Sequence, residues 1–224
     1  MKIGNTDIQP TKIICIGRNY LEHAKELNSP VPTEPVFFVK TLNSIITNGN
    51  PIIYPRILYE NTEFNRVDHE VELAFIMEKS CKKISATNAY DFIQGFSIFL
   101  DITARKMQIL DRNRNLPWYR SKNFDTFSVI GLRVVLNEIK DPHNLNIELK
   151  IDGVVKQSSS TKHMIFKIPQ ITEYVSSFIT LEKGDIIATG TPSGVGPIQP
   201  GEIIEASIEN IGTITHQVVL EGKT

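Results

Sequence analysis

The sequence predicts one α+β domain, rich in β-structure with a few short helices, and three observations predict it. Short apolar runs of strand length, several alternating with period two, recur along the chain between Gly, Pro, Asn and Asp. Segments with a helical period are few and short, chiefly residues 20–27, 101–112 and 169–178. No repeat, low-complexity tract or linker interrupts residues 1–224, so they read as a single domain, long enough to bury a real core.

Composition narrows the function. Hydrophobic residues make up 41% and charged residues 22%, and the formal net charge is -1. That balance is ordinary for a globular protein and argues against a nucleic-acid partner, which selects a clustered basic surface. The densest basic stretch, Arg112, Arg114, Arg120 and Lys122, is short and fits one side of a site. No run approaches the ~18 apolar residues of a membrane span. The first residues carry no apolar or Arg/Ser-rich leader pattern, so no signal or transit peptide is expected. Two scattered cysteines, Cys15 and Cys81, make no disulfide framework. The expected setting is the cytoplasm, away from any membrane.

In order, residues 11–16 form an apolar strand that runs into the turn Gly17-Arg18-Asn19-Tyr20. The helix over 20–27 stops at Pro30. Residues 31–55 hold four prolines and read as loop and strands, with Phe37-Phe38-Val39 and Ile45-Ile46 as their buried pieces. Residues 60–66 are polar and read as an exposed loop, 69–77 as a strand, 86–92 as a turn or two of helix, and 96–100 as a buried strand. Residues 101–112 read as a helix with Asp101 as its N-cap. Further on come a strand over 132–136 and an alternating strand over 145–151. The latter meets the hairpin signal Asp152-Gly153 and returns over 154–157. The late helix over 169–178 presents Ile171, Tyr174, Val175 and Phe178 on one face. Strands over 186–189, 203–208 and 213–220 complete the chain.

The stretch His69-Glu70-Val71-Glu72-Leu73-Ala74-Phe75 carries the chemistry. Side chains alternate along a strand, so Glu70 and Glu72 share one face, roughly 6.5–7 Å apart by strand rise, while Val71, Leu73 and Phe75 share the other. Two carboxylates on a buried face repel and lose hydration, and a divalent cation between them relieves both. Alternation alone equally describes an exposed edge strand with solvated glutamates. Asp101, ending the apolar run 96–100, supplies a third carboxylate, although by itself it is a plain N-cap. An all-oxygen set of this kind suits Mg²⁺, Mn²⁺ or Ca²⁺ and not zinc.

Six motifs follow in order: Gly17-Arg18-Asn19-Tyr20; His23 and Glu26; His69-Glu70-Val71-Glu72-Leu73; Asp101-Ile102-Thr103-Ala104-Arg105; Lys122-Asn123-Phe124-Asp125-Thr126-Phe127; and Gly190-Thr191-Pro192-Ser193-Gly194-Val195-Gly196. In that order and spacing the chain resembles the fumarylacetoacetate hydrolase family, and within it the acylpyruvase and oxaloacetate decarboxylase branch. The likeness runs from about residue 12 to residue 219. It implies a mixed β-sandwich roll with a few short helices, usually a homodimer. It implies Mg²⁺ or Mn²⁺ on Glu70, Glu72 and Asp101. It implies a His–Glu dyad, here His23 and Glu26, on a short helix that orders over the site, and it extends to Gln108 and Lys122. Asn123 stands where Ser is common, and the polar stretch 60–66 looks longer than in relatives, which bears on the entrance to the site.

The residues support a mechanism beside the resemblance. His23 and Glu26 are neighbours at i, i+3 on a helix, where a Glu can hold an imidazole in the tautomer a general base needs. A small 2-oxo acid chelates a metal through its carboxylate and keto oxygens, and cleavage beside the keto group leaves an enolate. Decarboxylation of oxaloacetate, hydrolysis of an acylpyruvate, and isomerisation or tautomerisation of a 2-hydroxy-dienedioate or of oxaloacetate all share that enolate. Lys122 fits a carboxylate or oxyanion. Arg18, Tyr20, Gln108 and the Thr189-Gly190-Thr191 turn are further expected substrate contacts. Arg105 reads as structural, His69 as support behind the acidic pair, and Trp118 as core or dimer interface. A metal- and ligand-binding protein without turnover is the reading of another class; the complete set of His23, Glu26, Lys122 and three carboxylates argues against it.

Overall fold

A computed structural model describes residues 2–3, 6–26, 30–47, 49–131 and 138–222. The strand expected over 132–136 and the end of the helix expected over 20–27 lie outside the described residues. Seven strands form a mixed sheet in the order Val36–Lys40, Ile13–Gly17, Ile186–Ala188, Val71–Met77, Ile93–Asp101, Ser128–Ile130 and Ile45–Thr47. Two of its pairings are parallel, Ile186–Ala188 on Ile13–Gly17 and Ser128–Ile130 on Ile45–Thr47. A five-stranded sheet, in the order Val154–Ser160, Asn146–Ile151, Ile203–Ile208, Gly212–Leu220 and Ile52–Tyr54, packs against it. A three-stranded sheet joins Thr103–Ala104, Val67–His69 and Gly196–Pro197. The chain is therefore the curled, sheet-rich sandwich with few helices that the sequence predicts.

The central strand Val71–Met77 is buried along its whole length, which explains why it reads as nearly continuous apolar sequence broken only by Glu72. Val71, Leu73, Phe75 and Met77 face the main core, which also contains Leu149, Ile151, Ala206 and Ile214 of the five-stranded sheet. Ala74 and Ile76 face the other way, into a second cluster with Ile13, Cys15, Phe99 and Ile186. Each such aliphatic or aromatic side chain stabilises the fold by about 1.5–3 kcal/mol relative to exposure. The alternation deduced from sequence thus holds, and both faces of the strand are covered.

Four expectations change. Asp101 is not an N-cap: it ends the strand Ile93–Asp101, and the helix begins at Arg105, with Ala104 as a cap that lends no side-chain hydrogen bond. The reason is the ladder, because Asp101 pairs with Ser128 and its amide donates to the Glu70 carbonyl at 2.9 Å. On the helix Ile168–Phe178 the buried face is Ile168, Ile171, Thr172 and Val175. Phe178 is 59% exposed, and Phe178 and Tyr174 pack on Phe37 from outside, at 6.0 and 6.3 Å between ring centres. In Val36–Lys40 the apolar Val39 is 41% exposed while Lys40 is fully buried. Residues 60–66 begin at the end of a short helix, Arg56–Glu60, before the polar turn. The hairpin at Asp152-Gly153 forms as expected, with φ of 49° and 78°, and Gly takes the second left-handed position without strain. No helix among the described residues is long and apolar enough to cross a membrane.

The late helix depends on a neutral histidine. His143 Nε2 accepts the first helical amide, Ile168 N–H, at 3.0 Å, so that nitrogen must carry no proton. Burial, then the positive charge of Lys167, holds His143 below its ordinary value, with Asp141 opposing. Burial also lowers His69, against its bond to Gln157, and His216, against its bond to the Asn50 carbonyl. All three rings bind fewer protons folded than unfolded, so their contribution is complete above the unfolded value of 6.5 and is lost as the pH falls below it. Thermal unfolding between about pH 7.5 and 5.5 therefore shows a falling Tm. His143→Gln, whose amide oxygen accepts from Ile168 at every pH, flattens part of that fall, and an unchanged slope would remove the capping role.

Candidate active site

The antiparallel ladder brings the acidic residues together. Val71 pairs with Leu100 and Glu72 with Phe99, which sets Asp101 beside Glu70 across the strand ends. One ligand oxygen from each of Glu70, Glu72 and Asp101 lies within 4.8 Å of the others. The three residues are 4%, 2% and 1% exposed. At that spacing three ionised carboxylates out of water repel strongly.

Cations and one amide oppose the repulsion. Lys122 Nζ donates to Glu70 Oε2 at 2.9 Å, Asp101 Oδ2 at 2.6 Å and Thr103 Oγ1 at 2.7 Å. Lys40 Nζ donates to Asp101 Oδ1 at 2.5 Å and to the Phe127 carbonyl at 2.7 Å. Arg105 bonds Glu70 Oε1, Asp68 Oδ2 at 2.8 Å and Gln108 Oε1 at 2.6 Å. The Gly190 amide donates to Glu72 Oε2 at 2.8 Å. Desolvation would raise the Glu70 carboxyl, but Lys122 and Arg105 prevail and hold it well below the usual range. Glu72 goes the other way: burial, then the charges of Asp101 and Glu70, push it well above its ordinary value. Burial works against the Lys122 ammonium, yet Asp101 and Glu70 raise it overall. A divalent cation fits this donor set, because hard oxygens surround it and Glu72 has a like-charge excess to relieve.

These groups face a cavity of about 430 Å³. Its lining includes the three carboxylates, Arg105, Lys122, Arg18, Gln108, Arg112 and Trp118, together with His23 and Glu26. The dyad sits on the helix Leu21–Glu26, where His23 Nδ1 lies 3.1 Å from Glu26 Oε2 and His23 is 4% exposed. Glu26 Oε1 accepts from the Gly194 amide at 3.0 Å, docking the helix on the 190–194 turn. Partial burial would raise Glu26, but the bonds from His23 and Gly194 lower it. Gly194, at φ 93°, approaches the Lys156 carbonyl so closely that a Cβ would lie 2.3 Å from its oxygen. Only glycine allows that docking.

The structure separates the remaining sequence-predicted contacts. Arg18, Gln108 and Thr191 line the cavity, and Arg18 has a left-handed φ of 58°. Tyr20 does not line it: its ring is 2% exposed and packed in the core. Thr189 gives its hydroxyl to the Leu73 carbonyl at 2.8 Å, Thr191 to the Val71 carbonyl at 2.9 Å, and Gly190 holds Glu72. These three therefore brace the acidic strand. Trp118, expected in the core or an interface, lines the cavity and lies edge-on to Phe38 at 5.5 Å. Sequence reasoning gave no role to Lys40, Asn19 or Gln157. Buried Asn19 ties the 17–20 turn to the Phe166 and Thr189 carbonyls and to the Phe166 amide. Gln157 accepts from His69 Nδ1 and the Val71 amide and donates to Thr191 Oγ1 and the Pro192 carbonyl. Asn19 lay inside a recognised motif; Lys40 and Gln157 carried no local signal.

A family model described as fumarylacetoacetate (FAA) hydrolase C-terminal matches residues 12–219. The chain belongs to the fumarylacetoacetate hydrolase family. Relatives within it include the mitochondrial oxaloacetate tautomerase FAHD1 of Arabidopsis thaliana, 42% identical over 210 residues, which cover 94% of this chain and 92% of that one. The mitochondrial oxaloacetate decarboxylase of Dictyostelium discoideum is 41% identical over 203 residues, 90% of each chain. The crystal structure of a fumarylpyruvate hydrolase from Pseudomonas aeruginosa, in complex with Mn²⁺ and pyruvate, superposes with a TM-score of 0.89 at 29% identity, covering 98% of this chain and 95% of that one.

The charge balance of this family member makes a stability prediction. Removing one partner of a buried ion pair costs about 3–5 kcal/mol because the other charge stays buried. In EDTA, Lys122→Met unfolds in urea with a loss of roughly 3 kcal/mol relative to wild type, and saturating Mn²⁺ recovers most of it. Equal stability of the two proteins in EDTA would show that Lys122 does not offset the carboxylates.

Proposed function

We propose that this enzyme cleaves a small 2-oxo acid in the cavity between the acidic triad and the His23–Glu26 dyad, by acylpyruvate hydrolysis, oxaloacetate decarboxylation or both. The observation that carries the reading is the convergence of three buried carboxylates and a docked His–Glu pair on one cavity. Glu70, Glu72 and Asp101 would hold Mg²⁺ or Mn²⁺; such an ion, when bound, supplies Lewis acidity toward carbonyl oxygens and compensates developing negative charge.

The chain's own residues do the rest. Glu26 accepts from the Nδ1–H of His23, which leaves Nε2 with its lone pair and free to take a proton from water or from substrate carbon. The Glu26 carboxylate then stabilises the imidazolium, so the proton can be returned to the product carbon. Lys122 presents a fixed positive charge on the cavity wall for a carboxylate or an oxyanion. Arg18, on the cavity wall, offers donors to the distal end of the substrate, and Gln108 a hydrogen bond to a ligand. The docked helix excludes bulk water while the proton moves. A tautomerase reading uses the same His23 proton transfer without bond cleavage, and the name of the Arabidopsis relative favours it.

Setting and assembly belong to the same proposal. The free, buried Cys15 and Cys81 suit a reducing cytoplasm. Exposed apolar side chains such as Leu116, at 48%, and Tyr119, at 61%, supply surface for a homodimer.

Pyruvate release from oxaloacetate and from acetylpyruvate, with Mg²⁺ or Mn²⁺ against EDTA, tests the reading. The expected result is metal-dependent turnover that His23→Ala lowers by about 10²–10⁴-fold. Turnover insensitive to EDTA and to the substitution would defeat it. Enol–keto conversion of oxaloacetate without pyruvate would select the tautomerase reading.

A further inference from the structure

Each carboxylate of the triad has one oxygen already bonded to a protein donor that does not bridge the three. Glu70 Oε1 is held by Arg105, Glu72 Oε2 by the Gly190 amide, and Asp101 Oδ1 by Lys40. The second oxygens of Glu70 and Asp101 share Lys122. The grip on Asp101 is firm: Lys40 is fully buried, and the carbonyls of Phe127 and Ile102 also accept from its ammonium, at 2.7 and 3.3 Å. Its neighbours in Val36–Lys40 are half-buried or exposed, so a core lysine on this edge strand is costly unless it has a task.

We infer that Lys40 is a positioning residue that restricts Asp101 to one ligand oxygen and thereby sets which divalent ion the site prefers. The inference rests on the reading of Glu70, Glu72 and Asp101 as an ion site. Three single-oxygen ligands suit a small ion of strict six-fold geometry, with positions left for water and substrate. Calcium takes about 6–8 oxygens at longer distances and gains from carboxylates that bind through both oxygens. Both Asp101 oxygens accept from an ammonium and each keeps a second lone pair, but Lys122 lines the cavity whereas Lys40 is fully buried away from it, so an ion in the cavity reaches Oδ2 and meets the fixed charge of Lys40 at Oδ1. Of the three blocking donors, the Gly190 amide is backbone and Arg105 lines the cavity, so Lys40 is the side chain whose replacement disturbs the reaction chamber least.

The test compares dissociation constants for Mn²⁺ and Ca²⁺ by calorimetry on EDTA-stripped wild type, Lys40→Met and Lys40→Gln. Both variants lose the same charge, so its effect on the two ions largely cancels in the ratio. Lys40→Met is expected to lower the preference for Mn²⁺ over Ca²⁺ by about tenfold or more, whereas Lys40→Gln, which keeps an N–H donor for Asp101 Oδ1, stays within about threefold of wild type. An unchanged ratio in Lys40→Met, or an equal fall in both variants, overturns the inference. A structure of the Mn²⁺-loaded wild type checks the same point without any variant: one Asp101 oxygen on the ion supports it, and two overturn it. Absence of any divalent-ion binding by wild type would remove the ion-site reading and this inference together, whereas binding with an unchanged ratio removes only the inference.

Discussion

Three carboxylates held within 4.8 Å of one another and shut away from water set the terms for the rest of this structure. Left alone they would take up protons or drive the strands apart. Lys122, Lys40 and Arg105 surround them, and all three cations are themselves buried to the point where they need the carboxylates. Neither set is stable in the interior without the other, so the cluster is held as a unit. Among the described residues Glu72 is the member whose hydrogen-bond donor is a backbone amide and not a cation, and it is the one pushed upward. The site is thus left short of positive charge at one point.

The backbone fixes that arrangement from outside. The seven-stranded sheet supplies the register that sets Asp101 beside Glu70. The 189–194 turn then braces the acidic strand three times, through Thr189, Gly190 and Thr191, before Gly194 receives Glu26. One turn therefore couples the acidic end of the cavity to the dyad, and Gln157 and Asn19 lock the turn to neighbouring strands. The described part of the helix that carries His23 and Glu26 is Leu21–Glu26, too short to be stable alone, and the Glu26–Gly194 bond docks it.

The relatives carry names for different reactions, although the acidic, lysine and His–Glu positions are all present here. The physical account is that proton transfer and charge stabilisation next to a keto group serve hydrolysis, decarboxylation and tautomerisation alike. In this chain Arg18, Gln108, Arg112 and Trp118 line the same cavity as the carboxylates and the His–Glu pair.

Much was legible in the sequence, for local reasons. Period-two alternation set Glu70 and Glu72 on one face, Asp152-Gly153 announced a hairpin, and spacing of three put His23 beside Glu26; each depends only on neighbouring residues. The order of six motifs identified the family. What failed locally failed because a partner distant in sequence decided it. Asp101 looked like a cap until a ladder bond to Glu70 kept it in a strand. Tyr174 and Phe178 looked like core until Phe37 met them outside. Lys40, to which the sequence assigned no role, is the buried counter-charge of Asp101, 61 residues away. Sequence alone determined which chemical groups exist and how near neighbours along the chain face; only the tertiary fold decided which charges meet, because that pairing is set by sheet register and burial across distant segments.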